Sequence, residues 1–387
     1  MIPSLPTECP PGRPFDPPDG LRERGPVSRL AYPDGHVGWL VTGHELAREV
    51  LADSRFSVRP DLGHRPVAGM AASDGPAPPG ILNALDPPDH TRYRKLLAGR
   101  FTVRRMRRLT ERIDAVTAER LDAMARTGGP VDLVPALAQP VPAQVICELL
   151  GVPYAERAEF QERALELFRL GADPATLASA YAAVHGAIAE LVAANRAEPG
   201  DDLLSELAGT DLTEEELVNI GFVLLGAGLD TTANMLAHGT YALLTHPGQV
   251  EELRADPDRA VEELLRYLSV VPFTLRTALT EVELGGERIA AGETVTVSLS
   301  AANRDPARYA DPDTLDVARQ ASGHVTFGHG IHQCLGQQLA RVELRVTLPA
   351  LVARFPTLRL AVPAADVPLR ADMIILGVHA LPVTWKD

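Results

Sequence analysis

The segment FGHGIHQCLG, residues 327–336, holds His329, His332 and Cys334 among Gly328, Gly330 and Gly336. Cysteine is rare in this chain, with only Cys9 and Cys147 elsewhere, so its place in a glycine-rich turn asks for a chemical reason. Structural zinc takes about four nitrogen or sulfur ligands. The H-x-x-H-x-C spacing offers three, in an unusual pattern, and no second cysteine lies nearby. A nucleophilic thiol needs a base oriented by a third group, and nothing local supplies one. An axial thiolate to haem iron needs no companion side chain, because the porphyrin fills the in-plane positions. Glycine suits a backbone that passes close beneath a flat macrocycle or turns with φ > 0, and Gly328, Gly330 and Gly336 fit that need. A helix expected from about Leu335 turns its first N–H groups and its dipole toward the sulfur, which favours the anion. From these ten residues alone, a glycine turn with an incidental cysteine is the plainer alternative.

The elements that could position such a loop are readable around it. IHQCLGQQLARVELRVTLPALVARF (331–355) has helical periodicity. LTEEELVNIGFVLLGAGLDTTANMLAHGTYALLTHP (212–247) opens with Thr213 and Glu216 as a capping box. About thirty helical residues at about 1.5 Å each would cross a whole domain. Gly226, Gly228, Asp230, Thr231 and Thr232 interrupt its apolar middle. These are poor helix formers, a buried acid is costly unless paired or used, and a threonine hydroxyl can bond back to the i−4 carbonyl. Glu263 and Arg266 share a face of a helix over 256–269, a pair worth little if exposed. His90 and Arg94 are four apart, and Arg276 begins a stretch (274–306) whose alternation and Gly-Gly turn read as hairpin strands.

Further helices are expected at 44–53, 91–127, 140–150, 154–170 and 174–197, with a strand at 37–41 and closing strands in LRLAVP and HALPVTW. Residues 59–90 read as a long loop, of a kind more often functional than idle. No Pro/Gly/Ser linker divides the chain. The expectation is one domain over 1–387, mainly α with a small β region, after a proline-rich segment at 1–35.

Composition sets limits. Hydrophobic residues make up 45% of the 387 and aromatics only 5%, which favours a helical core over a sandwich. The net charge of −14 argues against a nucleic-acid binder. Arg92–Arg112 carries +8 and the rest −22, so a local basic strip could dock something acidic. An odd, scattered cysteine count fits a reducing compartment. The N-terminus has no apolar run, and IGFVLLGAGL (220–229) is half the about 20 residues that span a bilayer. A soluble, cytoplasmic protein with no membrane segment is expected.

Phe327, Gly328, Gly330, His332, Cys334 and Gly336 match F-G-x-G-x-H-x-C-x-G, and the chain thereby resembles the cytochrome P450 monooxygenases, most of all the soluble bacterial class. AGLDT (227–231) resembles the family's oxygen-activation motif. The resemblance covers about residues 35–385 with its motifs in family order. It implies the cytochrome P450 fold, haem b (iron protoporphyrin IX) with Cys334 as the iron ligand, and Phe327 and Gly328 in the cofactor loop. It implies that His90, Arg94, Arg276 and His332 hold the propionates. Thr231 would serve dioxygen and Asp230 would relay protons. Glu263, Arg266 and Arg319 would brace the core. The implied activity is that of an oxidoreductase inserting one atom of O2 into a hydrophobic small molecule, as in a hydroxylation or epoxidation of natural-product tailoring. Ferredoxin and ferredoxin reductase would be the electron donors, docking on the basic strip through residues such as Arg104, Arg105 and Arg108. C–C coupling, dehydration, or ligand binding without turnover are the alternatives. Pocket walls are expected from 60–88, 160–182, Val223–Ala227, Val270–Leu275 and Met373–Leu376.

Overall fold

Eleven helices are described in the computed structural model, which covers residues 2–71, 75–100, 103–152, 162–163, 166–167 and 169–385. They are α1 (His44–Ala52), α2 (Asp89–Ala98), α3 (Val103–Thr127), α4 (Pro140–Leu150), α5 (Pro174–Ala197), α6 (Leu203–Ala208), α7 (Glu214–Thr245), α8 (Gln249–Ala255), α9 (Pro257–Leu268), α10 (Leu299–Ala302) and α11 (Gln337–Arg354). The strands are β1 (Val27–Ala31), β2 (Val37–Val41), β3 (Phe56–Ser57), β4 (Val131–Asp132), β5 (Phe273–Ala278), β6 (Val282–Leu284), β7 (Glu287–Ile289), β8 (Thr294–Ser298), β9 (Arg359–Leu360) and β10 (Pro382–Thr384). One sheet runs β1-β2-β8-β5-β3, with β2 parallel to β8 and its other pairs antiparallel. A second runs β4-β10-β9, and β6 pairs with β7 as a hairpin.

Most helix boundaries follow from local chemistry. Thr213 caps α7 by accepting from the Glu216 N–H, and the Glu216 carboxylate accepts from the Thr213 N–H at 2.7 Å, a reciprocal box that satisfies two end groups. Asp173 and Asp256 cap α5 and α9, each followed by proline at the first helical position. The single helix expected over 91–127 is instead two, because α2 stops at Gly99, a residue that favours leaving a helix. The helix expected over 154–170 falls largely outside the described residues. β3 and β4, two residues each, were not expected; strands so short carry no readable period.

The main apolar core gathers α3, α4, α7, α9 and α11, and a second cluster lies under the five-stranded sheet. By length and composition, both α5 and α7 could cross a membrane, which the ten-residue estimate from sequence missed. The apolar stretch of α7 is mostly buried inside the protein, as a core helix requires; that of α5 is mostly exposed. The proline-rich start is anchored. Phe15 packs on Tyr241 and His238 with centroids 4.9 and 5.0 Å away, and fully buried Arg304 binds the Phe15 carbonyl and the Asp16 carboxylate.

Two buried groups oppose each other in pH. His238 of α7 has neither ring nitrogen partnered, and burial pushes its pKa down to about 4. Glu343 of α11 is buried beside Thr232, and burial pushes its carboxyl up to about 8. A depressed histidine contributes stability above its unfolded pKa of about 6.5, and that contribution is lost as pH falls toward the folded value. The raised carboxyl contributes below its unfolded pKa of about 4.3, and that contribution is lost as pH rises through the folded value. His238→Leu is therefore expected to reduce the loss of stability between pH 7 and pH 5 by about 2 kcal/mol. Thermal unfolding at the two pH values reads this, and an unaltered difference would contradict it.

Candidate active site

The loop 327–336 leads into α11. Gly328 and Gly330 have φ of 70° and 73°, which side chains rarely adopt. A Cβ on Gly330 would stand 2.5 Å from the Leu51 carbonyl and 2.8 Å from Ala52 Cα at the end of α1. The three glycines thus do not share one reason. Gly328 and Gly330 allow the turn, and Gly330 also admits α1. Gly336, with φ of −82°, meets no protein atom within 4 Å of an added Cβ.

Cys334 donates its N–H to the Phe327 carbonyl at 2.8 Å, and the N–H groups of Gly336 and Gln337 at the start of α11 act on its sulfur. Burial is the largest influence on the thiol and pushes its pKa up, while those N–H groups, Arg94 and Arg341 favour the anion. By accessible surface, however, the residue is exposed. The sulfur is thus flanked by protein yet open on one side. Phe327 lies under the Arg341 guanidinium, 4.6 Å from the ring centroid.

Midway along α7, Ala227 is exposed and Thr231 half-buried, on a helix whose later turns are wholly buried. The Thr231 hydroxyl donates to the Ala227 carbonyl at 2.8 Å, the expected back-bond. Gly228 lies against Ile146 of α4, 3.0 Å from an added Cβ. Asp230 is buried and paired. Its Oδ1 accepts from Arg370 Nη1 at 2.8 Å and Asn234 Nδ2 at 2.9 Å, and its Oδ2 accepts from Arg370 Nη1 at 3.1 Å. Asn234 is wedged in turn by Gly377, where any side chain would collide with it. Arg370 and Asn234 were not foreseen; a lone arginine near the C-terminus carries no sequence signal.

The structure brings His90, Arg94, Arg276 and His332 into one cluster. The imidazoles of His90 and His332 are 4.1 Å apart, and the Nδ1 of each is buried without a partner. Arg276 is buried, and its Nη1 donates to the Leu275 carbonyl at 2.7 Å and to Thr274 Oγ1 at 3.4 Å. Among the described residues no acid forms an ion pair with any of the four. Burial lowers the pKa of Arg276 to about 10. Burial, then His90, Arg276 and Arg94, push His332 down to about 3. Such a cluster is built to receive an anion with oxygen acceptors.

Residues 190–361 match the family model described as Cytochrome P450. The chain is 50% identical over 380 residues to Cytochrome P450 105C1 of a Streptomyces species, covering 96% of each chain. The chain belongs to the cytochrome P450 family. It is 43% identical to the pentalenic acid synthase of Streptomyces avermitilis, over 96% of this chain and 95% of that one. A crystal structure of CYP105P1 in complex with filipin I superposes with a TM-score of 0.95, at 44% identity over 100% of this chain and 99% of the other. The fold is thus the mainly α P450 fold expected, and the protein is a bacterial P450 oxidoreductase of the monooxygenase type.

The P450 family implies haem, an oxygen substrate and redox partners. The residues fit the cofactor on three counts: an accessible but largely enclosed sulfur at a helix start, a glycine with open space over it, and a largely buried basic cluster with no ion-paired acid among the described residues. The bracing network is also formed. Glu263 and Arg266 are both 0% exposed and joined by two 2.7 Å bonds, so this P450 buries the pair that could have been a surface one. Arg266 also donates to the carbonyls of Asn303 and Pro312, and Arg319 Nε donates to Glu263 at 3.2 Å.

The basic strip is corrected by its partners. Arg92 pairs with Glu216 and Asp211, Arg100 and Arg105 with Glu206, Arg108 with Asp201 and Arg112 with Glu148. Acids distant in sequence thus offset much of the local +8. The Arg104 side chain lies outside the described residues.

A cavity is walled by Val67, Met70, Leu170, Phe273, Met373 and their neighbours, from four of the five expected segments. Val223–Ala227 does not line it. The N-terminal residues Leu5–Cys9 supply walls that no motif marked. Glu263→Ala would leave Arg266 buried without its carboxylate, at a cost of about 3–5 kcal/mol. A large fall in melting temperature or insoluble protein is the expected outcome; a melting temperature within a degree or two of the parent would refute it.

Proposed function

We propose that this P450 carries haem b and inserts one oxygen atom from O2 into a hydrophobic small molecule, as a hydroxylation or epoxidation in natural-product tailoring. The reading takes residues 1–387 as one cytoplasmic domain, with a ferredoxin and its reductase as electron donors. Relatives named for pentalenic acid synthesis and for a filipin I complex support the substrate class. The observation that carries the reading is the protein-enclosed Cys334 sulfur in the same chain as a basic cluster with no ion-paired acid among the described residues.

In this proposal Cys334 holds the iron, and the N–H groups of Gly336 and Gln337 stabilise its thiolate. His90, Arg94, Arg276 and His332 bind the two propionates, which return charge balance to the cluster. Phe327 and Gly328 shape the loop beneath the ring. When bound, the haem supplies the redox chemistry of dioxygen activation and oxygen transfer. The chain supplies proton control. Thr231 Oγ1 gives its proton to Ala227 O and so presents its lone pairs away from the helix. Asp230 Oδ1 is committed to two donors, whereas Oδ2 has one longer contact and is the oxygen available to take up and pass on a proton.

The reduced protein with carbon monoxide is expected to show the strongly red-shifted absorption of a thiolate-ligated haem, lost in Cys334→Ala. A preparation that binds no haem would defeat the reading. Thr231→Ala is expected to divert reducing equivalents into peroxide and to lower product formation about 10–100-fold; oxygen uptake measured against product checks this, and tight coupling would refute the role. Arg276→Met should weaken haem retention about tenfold or more, through loss of a charge-assisted bond. Haem transfer to an apo-acceptor protein measures it, and an unchanged transfer rate would reject the assignment.

A further inference from the structure

We propose that Arg370 is a ligand-recognition residue: the free edge of its guanidinium binds a neutral acceptor oxygen, a ketone or lactone carbonyl, on an otherwise apolar molecule in the cavity it helps to line. Only Nη1 is used by the protein, on the two oxygens of Asp230 at 2.8 and 3.1 Å. Nε and Nη2 have no protein partner among the described residues, and neither is sealed from accessible space. Arg370 is itself part of the cavity wall, and its backbone N–H is fixed by the Gly377 carbonyl at 3.0 Å. A guanidinium edge that no protein acceptor uses is free to donate charge-assisted hydrogen bonds to a ligand oxygen.

The rest of the wall limits what arrives. It is mainly apolar, and Arg370 is its one charged residue among the described residues. Ser298 and Ser300 are already engaged, with each other, with the Ala301 N–H and with the Pro272 carbonyl. Asp230 already balances the arginine. A ligand carboxylate would set a second anion against one cation away from water, a costly arrangement. A carbonyl takes the same donors without added charge, and charge-assisted bonds to neutral acceptors are strong. The ligand oxygen would then lie on the opposite edge of the guanidinium from Asp230, so that occupancy orders the residue holding that acid.

This inference rests on the monooxygenase reading only where it makes the ligand a substrate; binding itself does not depend on turnover. The test uses the holoenzyme with cyclododecanone and cyclododecanecarboxylate as probes, followed by calorimetry. Alkylation of Cys9, which lines the cavity, mapped by mass spectrometry, reports whether the probe is there. The ketone is expected to bind, to slow Cys9 alkylation several-fold, and to bind about tenfold more tightly than the carboxylate. Arg370→Met should weaken the ketone about tenfold or more. Because that change leaves Asp230 buried without its cation, the charge-balanced double variant Asp230→Asn/Arg370→Met is measured beside it and should show the same loss. Unaltered ketone affinity in the double variant, tighter binding of the carboxylate, an unprotected Cys9, or no binding to the parent would each overturn the proposal. Loss of the thiolate–carbon monoxide absorption in the parent would instead count against the haem reading.

Discussion

Gathering the buried His90 and Arg276 with the half-buried Arg94 and His332, with no carboxylate ion-paired to them among the described residues, is the constraint on which the rest of the site depends. Taking basic groups out of water disfavours their charged forms, and His90, Arg94 and Arg276 all lose basicity, through burial first. A fold keeps such a cluster when something outside the chain completes it. The Cys334 sulfur has the complementary problem, since burial opposes the anion while two N–H groups prepare a place for it. A cofactor with two carboxylates and a metal cation answers both at once, and the P450 family supplies that cofactor.

Elsewhere the chain balances its buried charge internally. Glu263 answers Arg266 and Arg319, and Asp16 answers Arg304. Asp230 answers Arg370. Apart from Glu263–Arg266, which share α9, each pair joins segments far apart in sequence. Removing one member of such a pair is much worse than never having buried it. The same logic removes the basic strip as a bare patch: five of its arginines meet acids from α4, α6, α7 and the segment just before α6.

The proline-rich start has more to do than its composition suggested. Phe15 and Asp16 tie it to the core, and Leu5–Cys9 close one side of the cavity. Proline keeps such a segment extended and limits what it loses on ordering, so a strap without regular structure can still be a fixed wall. Its residues make no periodic pattern, and a reading based on period passes over them.

What the sequence determined by itself was local. The capping box of α7, the Thr231 back-bond, the glycine turn before Cys334 and the helix that follows all depend on residues a few positions apart. The order of the motifs was enough to recognise the family. Only the tertiary structure decided which charges stand alone. Whether Glu263 was a surface pair, whether the basic strip was exposed, and what held Asp230 were questions about partners up to 140 residues away. Electrostatic cost depends on burial and distance, neither of which a linear spacing contains.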